Sequence, residues 1–226
     1  MKQILFMGEY DKTDMMFYLG KLISLEHKVL IVDVTKTHRY EYSYPKISMD
    51  VGLHQHEQLD VIENISNYTQ LQEILTNHEY DYILVDIDSE ESLEHWPVAD
   101  QYFLMTSYEN PVIQRNLKLV EALMKNRTDS DSIRVSKVIC EVNVNLNEDY
   151  LDMVFGELGI EWNESYVYYT DERDLILKIN NQQKSTISIK KLSGEYKKAL
   201  KRMVVTIIDS ELRSVNTLWK QAERSK

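Results

Sequence analysis

The sequence predicts an α/β fold, a mostly parallel central sheet with helices on both faces and a long amphipathic helix at the C-terminal end. Three observations carry this. Continuous apolar runs end at Met7, Val34 and Ile87 without alternation, as strands buried on both faces require. Stretches of apolar residues at helical spacing separate such runs. The strand–helix–strand order then repeats, which is the order of crossover units in a parallel sheet.

The elements follow in turn. "KQILFM" (2–7) reads as a buried strand, and "KTDMMFYLGKLISLE" (12–26) as a helix with apolar residues at 15, 16, 19, 22 and 23. "KVLIVDV" (28–34) is a strand running into Asp33. Residues 37–58 are irregular and aromatic, and 59–64 form a short strand. Asn67 caps a helix over 67–77, and "YDYILVDI" (80–87) is the next buried strand. A strand over 101–107 leads to a helix over 110–126 with proline in its first turn. A strand over 133–143, a helix over 147–159 that stops at a glycine, and a strand over 164–170 complete the sheet. From Leu192 apolar positions recur at 196, 199, 200, 203, 204, 207 and 208, then at 212, 215, 218 and 219. The wide part of this stripe reads as covering the sheet. Leu212, Val215, Leu218 and Trp219 run past what one domain needs, and read as an interaction helix for a second copy, another protein or a membrane surface. The organisation expected is an α/β domain over 1–208 and a basic helical extension over 209–226.

Composition sets bounds. The 226 residues are 43% hydrophobic and 28% charged, within the globular range. No run of about 18 apolar residues exists, so no spanning helix is expected. The apolar N-terminal stretch is short for a signal peptide, and the single Cys140 excludes an internal disulfide, so the cytoplasm is the expected compartment, with peripheral contact at the inner membrane face through the last helix. The net charge is −11, unevenly placed: residues 184–226 carry +7 and the remainder −18. An acidic body repels nucleic acid.

"MGEYDKTD" (7–14) follows the first strand and opens the first helix. This is the context of the phosphate-binding pattern G-x-x-x-x-G-K-[ST]. Lys12 and Thr13 stand in register, but Asp11 replaces the glycine before the lysine.

Taken with the strands ending in Asp33 and Asp86, the "AD"-strand-Thr-Pro-helix run from Ala99, "VICEVN" (138–143) and "YVYYTDERDL" (166–175), this stretch resembles the ParA/MinD family of bacterial deviant phosphate-loop ATPases. The resemblance covers about residues 1–208. It implies a three-layer sandwich and a loop built from Gly8, Glu9, Asp11, Lys12 and Thr13. It implies catalytic roles for Lys12, Asp33 and Asp86 if the chain is an ATPase, magnesium held by Thr13, Asp33 and Asp86, and a base contact from Asn143.

The departures weigh against that chemistry. The family's signature lysine falls on Met7, and two of its three glycines fall on Glu9 and Asp11. Each like-charge pair at about 4 Å and an effective dielectric near 20 costs about 4 kcal/mol before screening. No metal and no cofactor is therefore expected; ATP and magnesium belong to the alternative. Asp88, Glu90 and Glu91 read as a solvated acidic rim, and Cys140 as a core residue. His54 and His56 have ligand-like spacing without a third ligand nearby. The tyrosine-rich 38–45 reads as a packed or partner-facing loop.

Three functions follow from the resemblance. The first is a catalytically inactive, nucleotide-independent scaffold or positioning factor for secretion, pilus, conjugation or division machinery, with a TadZ/CpaE-like branch as the nearest guess. Its partner would be a protein of that machine or a second copy. The second is a weak but genuine Mg-ATPase, and the third a DNA-binding partition-type protein. The first is preferred.

Overall fold

The computed structural model describes residues 1–46, 52–125, 133–141, 148–184 and 186–225. The described strands are β1 (Lys2–Met7), β2 (Val29–Asp33), β3 (Leu53–His56), β4 (Leu59–Ile62), β5 (Tyr82–Ile87), β6 (Gln101–Thr106), β7 (Ile133–Glu141) and β8 (Ile160–Tyr169). They form one sheet in the order β3-β4-β2-β5-β1-β6-β7-β8. Every pairing is parallel except β3 with β4. β1 lies in the interior because all its residues from Gln3 to Met7 are buried, which only strands flanked on both sides and covered on both faces can use.

The helices are α1 (Thr13–Ile23), α2 (Tyr68–Leu75), α3 (Glu90–Glu94), α4 (Asn110–Lys125), α5 (Glu148–Phe155), α6 (Glu172–Gln182), α7 (Gly194–Ile208) and α8 (Leu212–Ala222). One core lies under α1, α6, α7 and α8, the other under α2, α3, α4 and α5. Asn67 caps α2 as expected, accepting from Gln70 N–H at 3.1 Å. α5 gives way to a short 3-10 turn that ends at Gly159, whose φ of +72° suits a residue without a Cβ.

Three expectations need correction. Residues 37–58 are not wholly irregular, since 53–56 form the edge strand β3. α3 and α6 form over stretches for which the sequence predicts no helix. β8 begins at Ile160 rather than 164, across a register shift between Val135 and Lys137 of β7. The C-terminal stripe, which allowed one long helix or two, forms two, because Asp209 takes a left-handed φ of 52° and ends α7.

The apolar stripe of α8 is also not left over. Val215, Leu218 and Trp219 are buried against the domain, and α8 packs on α1 and α7. The ammonium groups of Lys197 and Lys201 lie 4.8 and 5.3 Å from the Trp219 ring centre. Of the four residues expected to face a partner, only Leu212 is exposed. A membrane or a second copy therefore cannot use Trp219 without unpacking it. No described helix is long and apolar enough to cross a membrane.

Candidate functional site

β1 is flanked by β5 and β6, and the chain turns to opposite sides of it, so the carboxyl ends of these strands frame the crevice where open α/β sheets bind ligands. The segment 8–12 lies there, between β1 and α1. Gly8 is the one glycine this loop needs. Its φ is +131°, and a Cβ would stand 2.2 Å from the Met105 carbonyl oxygen. Asn116, fully buried on α4, receives the Glu9 N–H at 3.0 Å and donates to that same carbonyl at 2.9 Å.

Asp11 decides the electrostatics. Its Oδ1 accepts from Thr13 N–H at 3.1 Å and from the Thr13 hydroxyl at 2.8 Å, closing the start of α1. Its Oδ2 lies 2.7 Å from Arg39 and 2.6 Å from Lys178 of α6. Although burial opposes it, Lys178 foremost and the Thr13 hydrogen bonds next hold the carboxyl well below the usual carboxylate range. Helix N-terminus, hydroxyl and two cations form an anion site whose anion is the chain's own. Glu9 is ion-paired with Arg115.

Lys12 points the other way. Its ammonium lies 2.8 Å from Asp86 Oδ1 and donates to Gly8 O at 2.7 Å, and both charged side chains are 2% exposed. Asp86 Oδ2 accepts from the buried Tyr40 hydroxyl at 2.9 Å. Asp33 pairs in register with Asp86 on the neighbouring strand. Its Oδ1 accepts from Thr35 N–H and hydroxyl at 2.9 and 2.6 Å, while Oδ2 has no hydrogen-bond partner among the described residues.

These residues do not fit a magnesium-bound triphosphate. The cavity on the Lys12 side of the loop, bounded by Tyr10, Lys12, Thr35, Arg39 and Asp88, measures about 50 Å³. A triphosphate would have to displace Asp11 from two cations and Lys12 from a buried carboxylate. A larger cavity of about 690 Å³ opens on the other side of the loop, toward β7, β8 and α6.

No protein-family model matches the chain, and no curated protein matches it in sequence. Solved structures do match in shape. The MinC:MinD cell division protein complex of Aquifex aeolicus aligns at a TM-score of 0.64 and 14% identity, over 93% of this chain and 97% of that one. The MinD cell division protein of the same organism gives 0.63 and 12%, over 93% and 98%. A ParA family ATPase from Chlorobium tepidum gives 0.56 and 16%, over the whole of both chains. The fold is ParA/MinD-like. At these identities the likeness concerns architecture alone.

Within this ParA/MinD-like frame the sequence-predicted residues divide. Gly8, Glu9, Asp11, Lys12, Thr13, Asp33 and Asp86 come together as expected. Met7, at the signature-lysine position, is buried at the end of β1. Asn143 lies outside the described residues. Asp88 accepts from the Lys36 N–H at 2.8 Å, and Glu90 and Glu91 are exposed at the start of α3. His54 and His56 belong to an aromatic stack: the His56 ring lies 4.9 Å from Tyr44 and 5.5 Å from Phe17, and burial pushes its pKa down. Cys140 is a buried residue of β7 that donates to the Tyr10 hydroxyl at 3.2 Å. Arg39, Tyr40, Asn116 and Lys178 are the site residues that sequence reasoning missed. Only Tyr40 and Arg39 had a signal, in the tyrosine-rich loop.

Asp33 supplies a pH test. Burial foremost, with Asp86 nearby adding to it, pushes its carboxyl up to about 7 against the opposing Thr35 bonds. Between the unfolded value of about 4 and about 7, the folded chain holds a proton that the unfolded chain lacks. This residue's contribution to stability therefore falls as pH rises through that window. Asp33→Asn keeps an acceptor for Thr35. Its stability gain over wild type is expected to grow by on the order of 2 kcal/mol between about pH 5 and about pH 8, read by urea denaturation. A gain that is flat or shrinking would show that the folded carboxyl is ionised throughout.

Proposed function

We propose that this chain is a nucleotide-independent ParA/MinD-like protein that acts as a positioning scaffold for a larger assembly through protein contacts. The observation that supports the reading is Asp11, seated between the start of α1, Arg39 and Lys178, where its carboxylate does the work of a bound anion. With that charge built in, the loop needs no phosphate to be neutral and ordered. The Lys12–Asp86 pair withdraws the remaining lysine. One structural relative is a cell division protein in complex with a second protein, which is in keeping with a partner-held role. Secretion, pilus, conjugation and division machinery are the assemblies in view.

The test is direct binding of Mg-ATP to the full chain. Calorimetry is expected to show nothing tighter than about 1 mM, roughly −4 kcal/mol, and millimolar Mg-ATP is expected to leave the melting temperature unchanged. A micromolar Kd that is lost in Thr13→Ala would overturn the reading. It would favour a weak Mg-ATPase using Lys12, Thr13, Asp33 and Asp86.

A further inference from the structure

α6 carries an exposed apolar stripe. Leu175, Ile176 and Ile179 are each more than half exposed, at spacings that place them on neighbouring positions of one helix surface, while Leu177 faces the core. Three large aliphatic side chains in water on an eleven-residue helix form a patch of the kind that marks a protein-binding surface. Leu175 also lines the 690 Å³ cavity, so stripe and cavity are continuous.

The cavity wall is acidic. Among the described residues seven carboxylates line it and Lys178 is the only lysine or arginine. Lys178 is already committed to Asp11 and Asp14. Asp174 accepts from Ser193, and Glu9 and Asp171 pair with Arg115 and Arg173. Glu109 and Glu172 are exposed and have no ion-pair partner among the described residues.

We propose that α6 and this cavity dock a partner protein's helical segment in which lysines or arginines alternate with aliphatic residues. The aliphatic side would lie on Leu175, Ile176 and Ile179, and the cations would meet Glu109 and Glu172. The charge excludes an anionic lipid surface. A second copy of this chain fits poorly. An α6-to-α6 contact would set the same acidic wall against itself, and the apolar faces of the basic helices α7 and α8, including Leu200, Met203, Val215 and Trp219, are spent inside the domain. The copy offers the aliphatic stripe without free cations on α6, and cations without a free stripe on α7 and α8. The proposal rests on the reading of the chain as a partner-binding scaffold.

The probe is a synthetic labelled peptide with lysine, arginine and leucine at helical spacing, titrated with the full chain and followed by anisotropy. Binding is expected with a Kd on the order of 10 µM. A peptide with serine for leucine, and one with glutamate for the cations, are each expected to bind at least about tenfold more weakly. In the protein, Leu175→Ser with Ile179→Ser, and separately Glu109→Gln with Glu172→Gln, are expected to weaken binding about tenfold or more. All four are exposed positions, so the fold should stand, and the circular dichroism melt checks it. Equal binding of the serine peptide, or no loss in either pair of variants, would overturn the proposal. So would self-association of the chain in sedimentation that competes with the peptide, since the occupant would then be a second copy. The titration is repeated with Mg-ATP at about 5 mM. Unchanged peptide binding supports the proposal, and displacement of the peptide by the nucleotide would overturn both it and the nucleotide-independent reading. Peptide that fails to bind while ATP also fails to bind would overturn the docking surface alone.

Discussion

Lys12→Ala is expected to cost about 3–5 kcal/mol of stability, read as the shift of the urea midpoint at neutral pH. The lysine and Asp86 are both 2% exposed and 2.8 Å apart. Removing the cation leaves a buried carboxylate with the Tyr40 hydroxyl as its remaining donor, and strips a hydrogen bond from Gly8 O. Taking away one member of a buried pair costs far more than taking both, because the cost is that of the orphaned charge. The double variant Lys12→Met, Asp86→Asn is therefore expected to recover most of the loss, with asparagine still accepting from Tyr40. If Lys12→Ala fails to fold, the double variant still answers the question. A loss under about 1 kcal/mol in the single variant would mean that the lysine is free in solution and available to a phosphate.

Asp11→Gly is expected to turn an internal anion site into an open one. The substitution removes the acceptor at the start of α1, worth about 1 kcal/mol, and leaves Arg39 and Lys178 facing each other without their shared counter-charge. The variant should be less stable than wild type by about 1–3 kcal/mol. Inorganic triphosphate should then stabilise it, by about 1.4 kcal/mol at roughly ten times its Kd, and leave wild type unmoved. Thermal melts of both proteins with and without triphosphate read this out. An equal response in the two, or none in the variant, would show that the carboxylate is not what fills the site.

The legible parts of the fold were those where one strand or helix declares its burial by itself. β1, β2 and β5 are continuous apolar runs, and a strand with no polar face has only an interior position to take. β3 escaped because it is a four-residue edge strand, His-rich and half exposed, whose pairing with β4 depends on the partner and not on its own pattern. α6 escaped because its aliphatic residues point outward and leave no inward stripe, although Asp171 caps it at Arg173 N–H, a local signal that was there to read. In the site, Gly8 to Thr13 could be placed from the loop pattern and its position after a strand. Lys178, 167 residues from Asp11, could not. A tertiary ion pair of that separation leaves no trace in spacing. The α8 stripe was seen correctly as apolar and assigned to the wrong neighbour, because amphipathicity says that a face is covered without saying by what.

The burial of Trp219 bears on how the molecule assembles. The core on the α2–α5 side draws its residues from 5 to 155, whereas the core on the α1 side also needs residues from 177 to 222. Tyr196 reaches Asp14 across 182 positions, and α8 closes over a helix made near the start of the chain. Contacts over such a separation raise the chain's contact order, which slows folding. Met15, Met16 and Leu19 of α1 share their core with residues of α7 and α8, so a chain lacking those two helices would present them to water. The fourteen residues from Ser210 to Glu223 are thus a cover for the first helix, and a chain cut before them would expose an apolar surface prone to sticking to its neighbours.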